Sequence, residues 1–256
     1  MLAEERRQRM VEMVGRNATV SVTELAQLFG TSESTIRRDL ERLESAGLLV
    51  KVHGGAASVD TKLKPSPFVA IEPTMAEKRS LRADEKLVLA RWAAAQIEPD
   101  DFVYLDSGTT TLAIVEHLGE AACRATFVTN SVSIALALVS RGARTCVIGG
   151  DLKAGTEAIV GPGAIDALSR YNFSKGFWGT NGVTKKDGFT TPDIYEAEVK
   201  RLAMAQTIHR FVLCDASKMG RTSLVTFGAM DDAVIVTSAL PAGSEFADCD
   251  NVEVVG

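Results

Sequence analysis

The sequence is poor in the residues that build metal centres, disulfide frameworks and membrane spans. Its four cysteines, Cys123, Cys146, Cys214 and Cys249, are scattered, form no C-x-x-C pair and have no histidine cluster beside them. No metal site or disulfide framework is expected, and reduced thiols in a cytosolic protein are. No apolar run approaches the ~18–20 residues that span a bilayer, and none follows the charged start Met1-Leu2-Ala3-Glu4-Glu5-Arg6-Arg7. The expected location is the cytoplasm, with no membrane partner. Aromatics are few, at 6%, and there is no excess of positive charge, the formal net charge being −5.

What is present is ample material for a core: 46% of the 256 residues are hydrophobic and 24% charged. That length suggests one or two domains. The first 57 residues carry eight basic side chains: Arg6, Arg7, Arg9, Arg16, Arg37, Arg38, Arg42 and Lys51. Eight acidic ones, Glu4, Glu5, Glu12, Glu24, Glu33, Asp39, Glu41 and Glu44, cancel them. Nucleic-acid binding by this stretch must come from where the charges point.

Residues Leu2 to Gly15 read as a charged helix with Met10, Met13 and Val14 on one apolar face. Ser21-Val22-Thr23-Glu24 matches the S-x-x-E capping box and predicts a helix over 23–29 with Leu25, Leu28 and Phe29 buried. After the Gly30-Thr31 turn, Ser32 caps a third helix that runs to about Ala46 and stops at Gly47. Helix, tight turn, helix is the helix-turn-helix layout. At ~100° per residue, Ile36, Leu40 and Leu43 share one arc, which leaves Ser34 and Arg38 opposite and Thr35 and Arg37 on the flanks. Hydroxyls and guanidiniums at a helix N-terminus suit guanine edges and phosphates. Leu48 to Val52 alternates like a strand and turns at His53-Gly54-Gly55-Ala56, a wing that would place Lys51 and His53 near a phosphate backbone. A winged helix used only for protein contact is the alternative reading.

The string Ser32-Glu33-Ser34-Thr35-Ile36-Arg37-Arg38-Asp39-Leu40, followed by His53-Gly54-Gly55-Ala56, resembles the DeoR family of bacterial transcriptional regulators. The resemblance implies a winged helix-turn-helix, usually a repressor, that acts as a homo-oligomer (dimer or tetramer) on repeated or inverted half-sites of a double-stranded DNA operator.

Residues 58–74, with Pro65, Pro67 and Pro73, read as a linker between a domain over 1–57 and another over 75–256. A single long helix is expected from Met75 to Ile97, along Leu81, Leu87, Val88, Leu89, Trp92 and Ala95. Strands at 102–105, 126–128 and 145–148 then alternate with helices at 111–118 and 132–139, which implies a parallel sheet with helices on its faces. In such sheets the loops after strand C-termini collect the ligand. Asp106-Ser107-Gly108-Thr109-Thr110 is one such loop, at the start of a helix. It is neither a Walker A loop nor G-x-G-x-x-G, so a single phosphate suits it better than a nucleotide. Plain N-capping by Ser and Thr remains open. Further along, a helix over 192–208 carries Glu196 and Lys200 at i, i+4, a strand over 211–214 ends at Asp215, and Ser217-Lys218 follows. These groups could converge on one cleft with Asp106, or Glu196–Lys200 could be a surface pair and Asp215 a turn cap.

The D-S-G-T-T loop, Thr129-Asn130, Gly149-Gly150, E-A-E-V-K-R at 196–201 and D-A-S-K at 215–218 resemble the sensor domain of the same family. The resemblance implies a Rossmann-like α/β fold similar to ribose-5-phosphate isomerase and a phosphorylated sugar or polyol as effector, with no cofactor. It implies that Ser107, Gly108, Thr109 and Thr110 hold the phosphate. Asn130, Glu196, Lys200 and Lys218 would contact sugar hydroxyls or line the cleft, with Asp106, Gly149, Gly150 and Asn181 beside them. Many relatives carry an acidic residue at the position of Asn181, and the amide here argues against acid–base chemistry. The expected function is therefore a regulator and not an enzyme. The alternative is an isomerase with an appended DNA-binding domain and Glu196 as its base.

Overall fold

In the computed structural model, which describes residues 3–17, 19–45, 48–52, 54–58, 68–69, 74–241 and 243–256, a first unit spans Met1–Ser66. It runs α1 (Ala3–Asn17), β1 (Thr19–Ser21), α2 (Val22–Phe29), α3 (Glu33–Ser45), β2 (Leu49–Val52) and β3 (Gly55–Ser58). The capping box forms as read: Glu24 N–H donates to Ser21 Oγ at 3.1 Å, and Ser21 N–H to Glu24 Oε2 at 2.9 Å. Gly30 ends α2 in the left-handed conformation. Met10, Val14, Val22, Leu25, Ile36, Leu40, Leu43 and Leu49 form the core. Leu28 does not join it and is 60% exposed. Val22 belongs to the buried stripe, and this turns the stripe's centre towards Ala26 and Phe29 and leaves Leu28 about 110° away. The expected stop at Gly47 lies outside the described residues.

The three strands form one antiparallel sheet in the order β1-β3-β2. The wing is thus anchored by β1, a strand from before the helix-turn-helix. A Cβ on Gly55, where β3 passes β1, would stand 2.2 Å from the Val20 carbonyl oxygen, so only glycine fits. Buried Asp39 on α3 accepts from Arg6 Nε at 2.7 Å and ties α3 to α1.

The second unit spans Pro67–Gly256. It begins with β4 (Phe68–Val69), α4 (Met75–Ser80), α5 (Ala83–Ala95) and β5 (Phe102–Leu105). Then come α6 (Thr109–Glu116), β6 (Thr126–Thr129), α7 (Val132–Ser140), β7 (Arg144–Val147), β8 (Asp151–Lys153) and β9 (Ala158–Val160). Next are α8 (Pro162–Leu168), β10 (Phe173–Gly179), β11 (Gly182–Thr184), β12 (Gly188–Thr191), α9 (Ile194–Ala205) and β13 (Thr207–Leu213). The chain closes with β14 (Thr222–Ser223), β15 (Val225–Gly228), β16 (Val234–Thr237) and β17 (Val252–Val254).

Seven strands in the order β17-β16-β13-β10-β5-β6-β7 make one sheet in which every pairing is parallel. Its residues alternate between two cores, as a sheet covered on both faces requires. Val103, Leu105, Phe127 and Phe177 pack with α5, α6 and α7, whereas Tyr104, Val128, Trp178 and Val212 pack with α8 and α9. A smaller antiparallel sheet β11-β12-β15 and a β8–β9 hairpin flank the strand C-termini.

Two expectations are corrected here. The helix read over 75–97 is two helices, because Leu81 leaves the helical region and Arg82 is left-handed, with φ 54°. The break is held by Glu85, which pairs with Arg82 at 2.6 Å and accepts from Ala216 N–H and Ser238 Oγ. The helix read over 192–208 ends at Ala205, where β-branched Thr207 and Ile208 open β13. Within the stretch read as linker, Phe68–Val69 pairs with Thr222–Ser223 as a strand.

Candidate functional site

In the first unit, α3 presents the face that the helical spacing predicted. Ser32 Oγ lies 2.9 Å from Ser34 Oγ and 3.0 Å from Thr35 Oγ1 and accepts from Thr35 N–H at 3.3 Å, which caps the first turn. Ser34, Arg37 and Arg38 are exposed and Thr35 is half-buried. Arg37 pairs with Glu33 at 3.1 Å, and Glu33 also accepts from Thr23 Oγ1, so α2 and α3 share this contact. Thr23 and Arg37 hold the Glu33 carboxyl below its usual range. Lys51 on β2 pairs with Glu41 at 3.2 Å, which draws the wing lysine towards α3. His53 lies outside the described residues.

In the second unit a cleft opens at the C-terminal ends of β5, β10 and β13, where a doubly wound sheet places its ligand. Ser107, Gly108, Thr109, Thr110 and Thr111 form one wall. α6 starts at Gly108, which has no side chain to cap it; Thr111 Oγ1 donates back to the Gly108 carbonyl at 3.0 Å, and among the described residues Ser107, Thr109 and Thr110 make no capping bond. The first N–H groups of the helix lack intrahelical partners and carry the positive end of its dipole. That removes plain N-capping as the account of the D-S-G-T-T sequence. Across the cleft stand Lys200 and Glu196 of α9, Lys218 of the 3-10 turn Ala216–Lys218, and Asn181. The Asn181 carboxamide oxygen accepts from Thr191 Oγ1 at 3.3 Å.

The charged groups are paired differently from the i, i+4 spacing. Lys200 Nζ donates to Asp106 Oδ2, both side chains being almost wholly buried, and to the Gly179 carbonyl at 3.2 Å. It also stands 5.4 Å over the Phe227 ring. Burial pushes the Asp106 carboxyl up, against the pull of Lys200 and the Gly179 N–H. Glu196 Oε1 instead accepts from Lys153 Nζ and Thr156 Oγ1, each at 2.7 Å, from the β8–β9 hairpin. Lys218 lies 3.4 Å from Asp215, whose carboxyl burial pushes up but Lys218 and Ser217 pull below the usual range.

Of the residues expected at the effector site, Ser107 to Thr110, Asn181, Glu196, Lys200 and Lys218 come together in the lining, and four do not. Asp106 lies beneath the floor as the partner of Lys200. Asn130 is buried behind the loop, where its carboxamide oxygen accepts from Ser107 N–H at 3.0 Å and Tyr104 OH at 3.2 Å, so it positions the loop. Gly149 and Gly150 are also outside the lining. Gly150 has φ 148° and a Cβ there would stand 2.6 Å from the Val160 carbonyl oxygen, which makes it a packing residue. Reading the sequence missed Met75, Lys78, Thr111, Thr156, Gly179 and Thr180, which also line the cleft. The signal for the first two was Thr74-x-x-Glu77, a second capping box at the start of the apparent long helix. Among the described residues no cluster of potential metal ligands occurs.

Two family models match the chain: a DeoR-like helix-turn-helix domain over residues 6–62 and a DeoR C terminal sensor domain over residues 81–239. The uncharacterized HTH-type transcriptional regulator FruR of Bacillus subtilis (strain 168) is 40% identical over 238 residues, 93% of this chain and 92% of that protein. The HTH-type transcriptional regulator IolR of the same organism is 33% identical over 97% of this chain and 96% of its own. The lactose phosphotransferase system repressor of Staphylococcus aureus (strain N315) is 30% identical over 98% and 95%. Among solved structures, ribose 5-phosphate isomerase A of Methanocaldococcus jannaschii is similar at 14% identity and a TM-score of 0.40, covering 54% of each chain. A likeness that weak says nothing of activity. Both family models and relatives matched over nearly their full length agree: the chain belongs to the DeoR family of transcriptional regulators.

Proposed function

We propose that the chain is a repressor of carbohydrate-catabolism genes whose affinity for operator DNA is set by a phosphorylated sugar or polyol bound in the cleft of the second unit. Ser32, Ser34, Thr35, Arg37 and Arg38 of the α3 turn would read the major groove, with Lys51 and His53 of the wing at the backbone. The family supports the regulator; the names of the relatives, a lactose phosphotransferase system repressor among them, support carbohydrate control. Among the described residues no helix is long and apolar enough to cross a membrane, in keeping with a repressor acting in the cytoplasm.

The observation that carries the effector reading is the uncapped start of α6, which shares one cleft with the hydroxyls of Ser107, Thr109 and Thr110 and with Lys200 and Lys218 across from them. Helix N–H groups, hydroxyls and ammonium groups are donors without acceptor capacity or with hydroxyl capacity only, the chemistry that a phosphomonoester meets. Glu196 and Asn181, beside these lysines in the lining, offer acceptors for ligand hydroxyls. A ligand of this kind changes DNA binding only by preferring one state of the assembly over the other.

The test is a thermal-shift screen of the full chain against phosphorylated sugars and polyols and their unphosphorylated counterparts. Phosphorylated compounds should raise Tm in a concentration-dependent way. Stabilisation by free sugars alone would overturn the phosphate role of Ser107 to Thr110. The rival reading, a sugar-phosphate isomerase, needs Glu196 as a base. Its Oε1 is engaged by Lys153 and Thr156, which holds the carboxylate as a fixed acceptor. Isomerase turnover abolished by Glu196→Gln would establish that rival.

A further inference from the structure

Helix α4 is too short, at six residues, to be stable without tertiary partners. Its local support is the Thr74–Glu77 capping box, in which Thr74 N–H donates to Glu77 Oε2 at 2.8 Å. At its start Met75 N–H donates to the Gly155 carbonyl at 3.0 Å, in the turn of the β8–β9 hairpin that also supplies Thr156 to the cleft. At its other end the Lys78 carbonyl accepts from Lys86 Nζ of α5. Between these ties, Met75 and Lys78 line the same cleft as the Ser107–Thr111 wall.

Lys86 is only 7% exposed, and its ammonium is pushed down to about 8 by burial, then by Lys218 and Lys78, with Asp215 opposing. Lys78 and Lys218 thus add positive potential at Lys86, which Asp215, 3.4 Å from Lys218, opposes. An anion lying at the start of α6 would relieve that repulsion and would be drawn to the lysine on the cover as well as to the wall.

From this juxtaposition we infer that Lys78 is an effector-binding residue and α4 a cover that the effector's anionic group holds in place beside the Ser107–Thr110 loop. The inference rests on the reading of the cleft as a site for a phosphorylated ligand. Among the described residues α4 is the first helix of the sensor unit in chain order, following β4.

The experiment uses the full chain and inorganic phosphate as the probe. Wild type, Lys78→Met, Lys78→Arg and Ser107→Ala are titrated by thermal shift, and amide hydrogen exchange over residues 74–81 is followed with and without phosphate. Loss of a charge-assisted contact should weaken phosphate binding about ten-fold in Lys78→Met, each variant's phosphate shift being read against its own ligand-free Tm. Lys78→Arg should keep most of the affinity. Phosphate should slow exchange over 74–81 in wild type and not in Lys78→Met. If Lys78→Met binds phosphate as wild type does and exchange over 74–81 is unmoved, while Ser107→Ala is weakened, the role of Lys78 is overturned and the phosphate reading stands. If phosphate shifts none of the proteins, the phosphate reading fails and Lys78 falls with it.

Discussion

Two residue pairs decide most of what can be tested by single substitutions. Asp106 and Lys200 are buried together beneath the cleft, and each is tolerable there only because of the other. Removing one member of such a pair strands a charge and costs about 3–5 kcal/mol, whereas replacing both is far milder. Lys200→Met should therefore lower the unfolding free energy at pH 7 by about 3–5 kcal/mol, measured by urea denaturation, and Asp106→Asn combined with Lys200→Met should recover most of it. The pH dependence has a definite sign. Without Lys200, the carboxyl that burial already pushes up has a folded value well above its unfolded one, so the folded state binds the extra proton. The deficit of Lys200→Met against wild type is fully present above that folded value and shrinks as pH falls through it. A deficit that grows on acidification would show that Asp106 is not the group left stranded. On the DNA face the two arginines differ. Arg37 is held by Glu33, while among the described residues Arg38 enters no ion pair. Both Arg37→Ala and Arg38→Ala should weaken operator binding at fixed salt, by about 1–3 kcal/mol if the guanidinium reads a base edge, with Arg38→Ala the larger. Fluorescence anisotropy on one operator checks this, and equal wild-type affinity for both variants would remove α3 as the reading helix.

At the scale of elements, the wing depends on one backbone approach. Gly55 has no room for a methyl group against the Val20 carbonyl, so Gly55→Ala must push β3 away from β1. A loss of about 1–3 kcal/mol is expected from such overpacking, read as an earlier melting step. Gly54→Ala meets no atom within 4 Å but is held at φ 82°, and should cost about 1 kcal/mol from backbone strain alone. Equal effects of the two would argue against the β1 contact. The same contrast explains what could be read from the sequence. The capping box at Ser21, the α3 stripe of Ile36, Leu40 and Leu43, and the strand–loop–helix alternation are local patterns, and each appears in the structure. The break at Leu81-Arg82 is not local: no Pro or Gly marks it, and Glu85 holds it through Ala216 and Ser238, more than 130 residues away in sequence. The partners of Glu196 and Lys200 follow the same rule. Their i, i+4 spacing suggests that they face each other, yet their acceptor and donor come from Thr156, Lys153 and Asp106, 40 to 94 residues away. The strands after Ser217, β14, β15, β16 and β17, are short and carry too little periodicity to be told from loops.

For the whole molecule, the distribution of charge limits how DNA is held. The net charge is −5, and the first 57 residues contribute zero to it, so the remaining 199 carry the whole of that net charge. Part of the basic complement of the first unit is spent on structure: Arg6 is tied to Asp39, Arg37 to Glu33 and Lys51 to Glu41. One copy thus offers only a handful of phosphate contacts, and a single face of this kind binds weakly at physiological salt. Pairing of copies through the second unit is the arrangement we propose to make up the difference. Its consequence is measurable in the salt dependence of operator binding. Each neutralised phosphate contributes about 0.9 to the slope of log K against log salt. A single copy engaging two or three phosphates should show a slope near −2 to −3, and a pair of copies on two half-sites about twice that. For the full chain the expected slope is about −4 to −6, which corresponds to a loss of several hundred-fold or more in affinity between 50 and 200 mM salt. Arg38→Ala should lower the magnitude of that slope by about two, one phosphate lost per copy, if its guanidinium meets the backbone, and leave it unchanged if it reads a base. A slope near −2 for the full chain on a two-half-site operator would mean that one copy binds alone, and an effector acting by separating paired copies would then have nothing to separate.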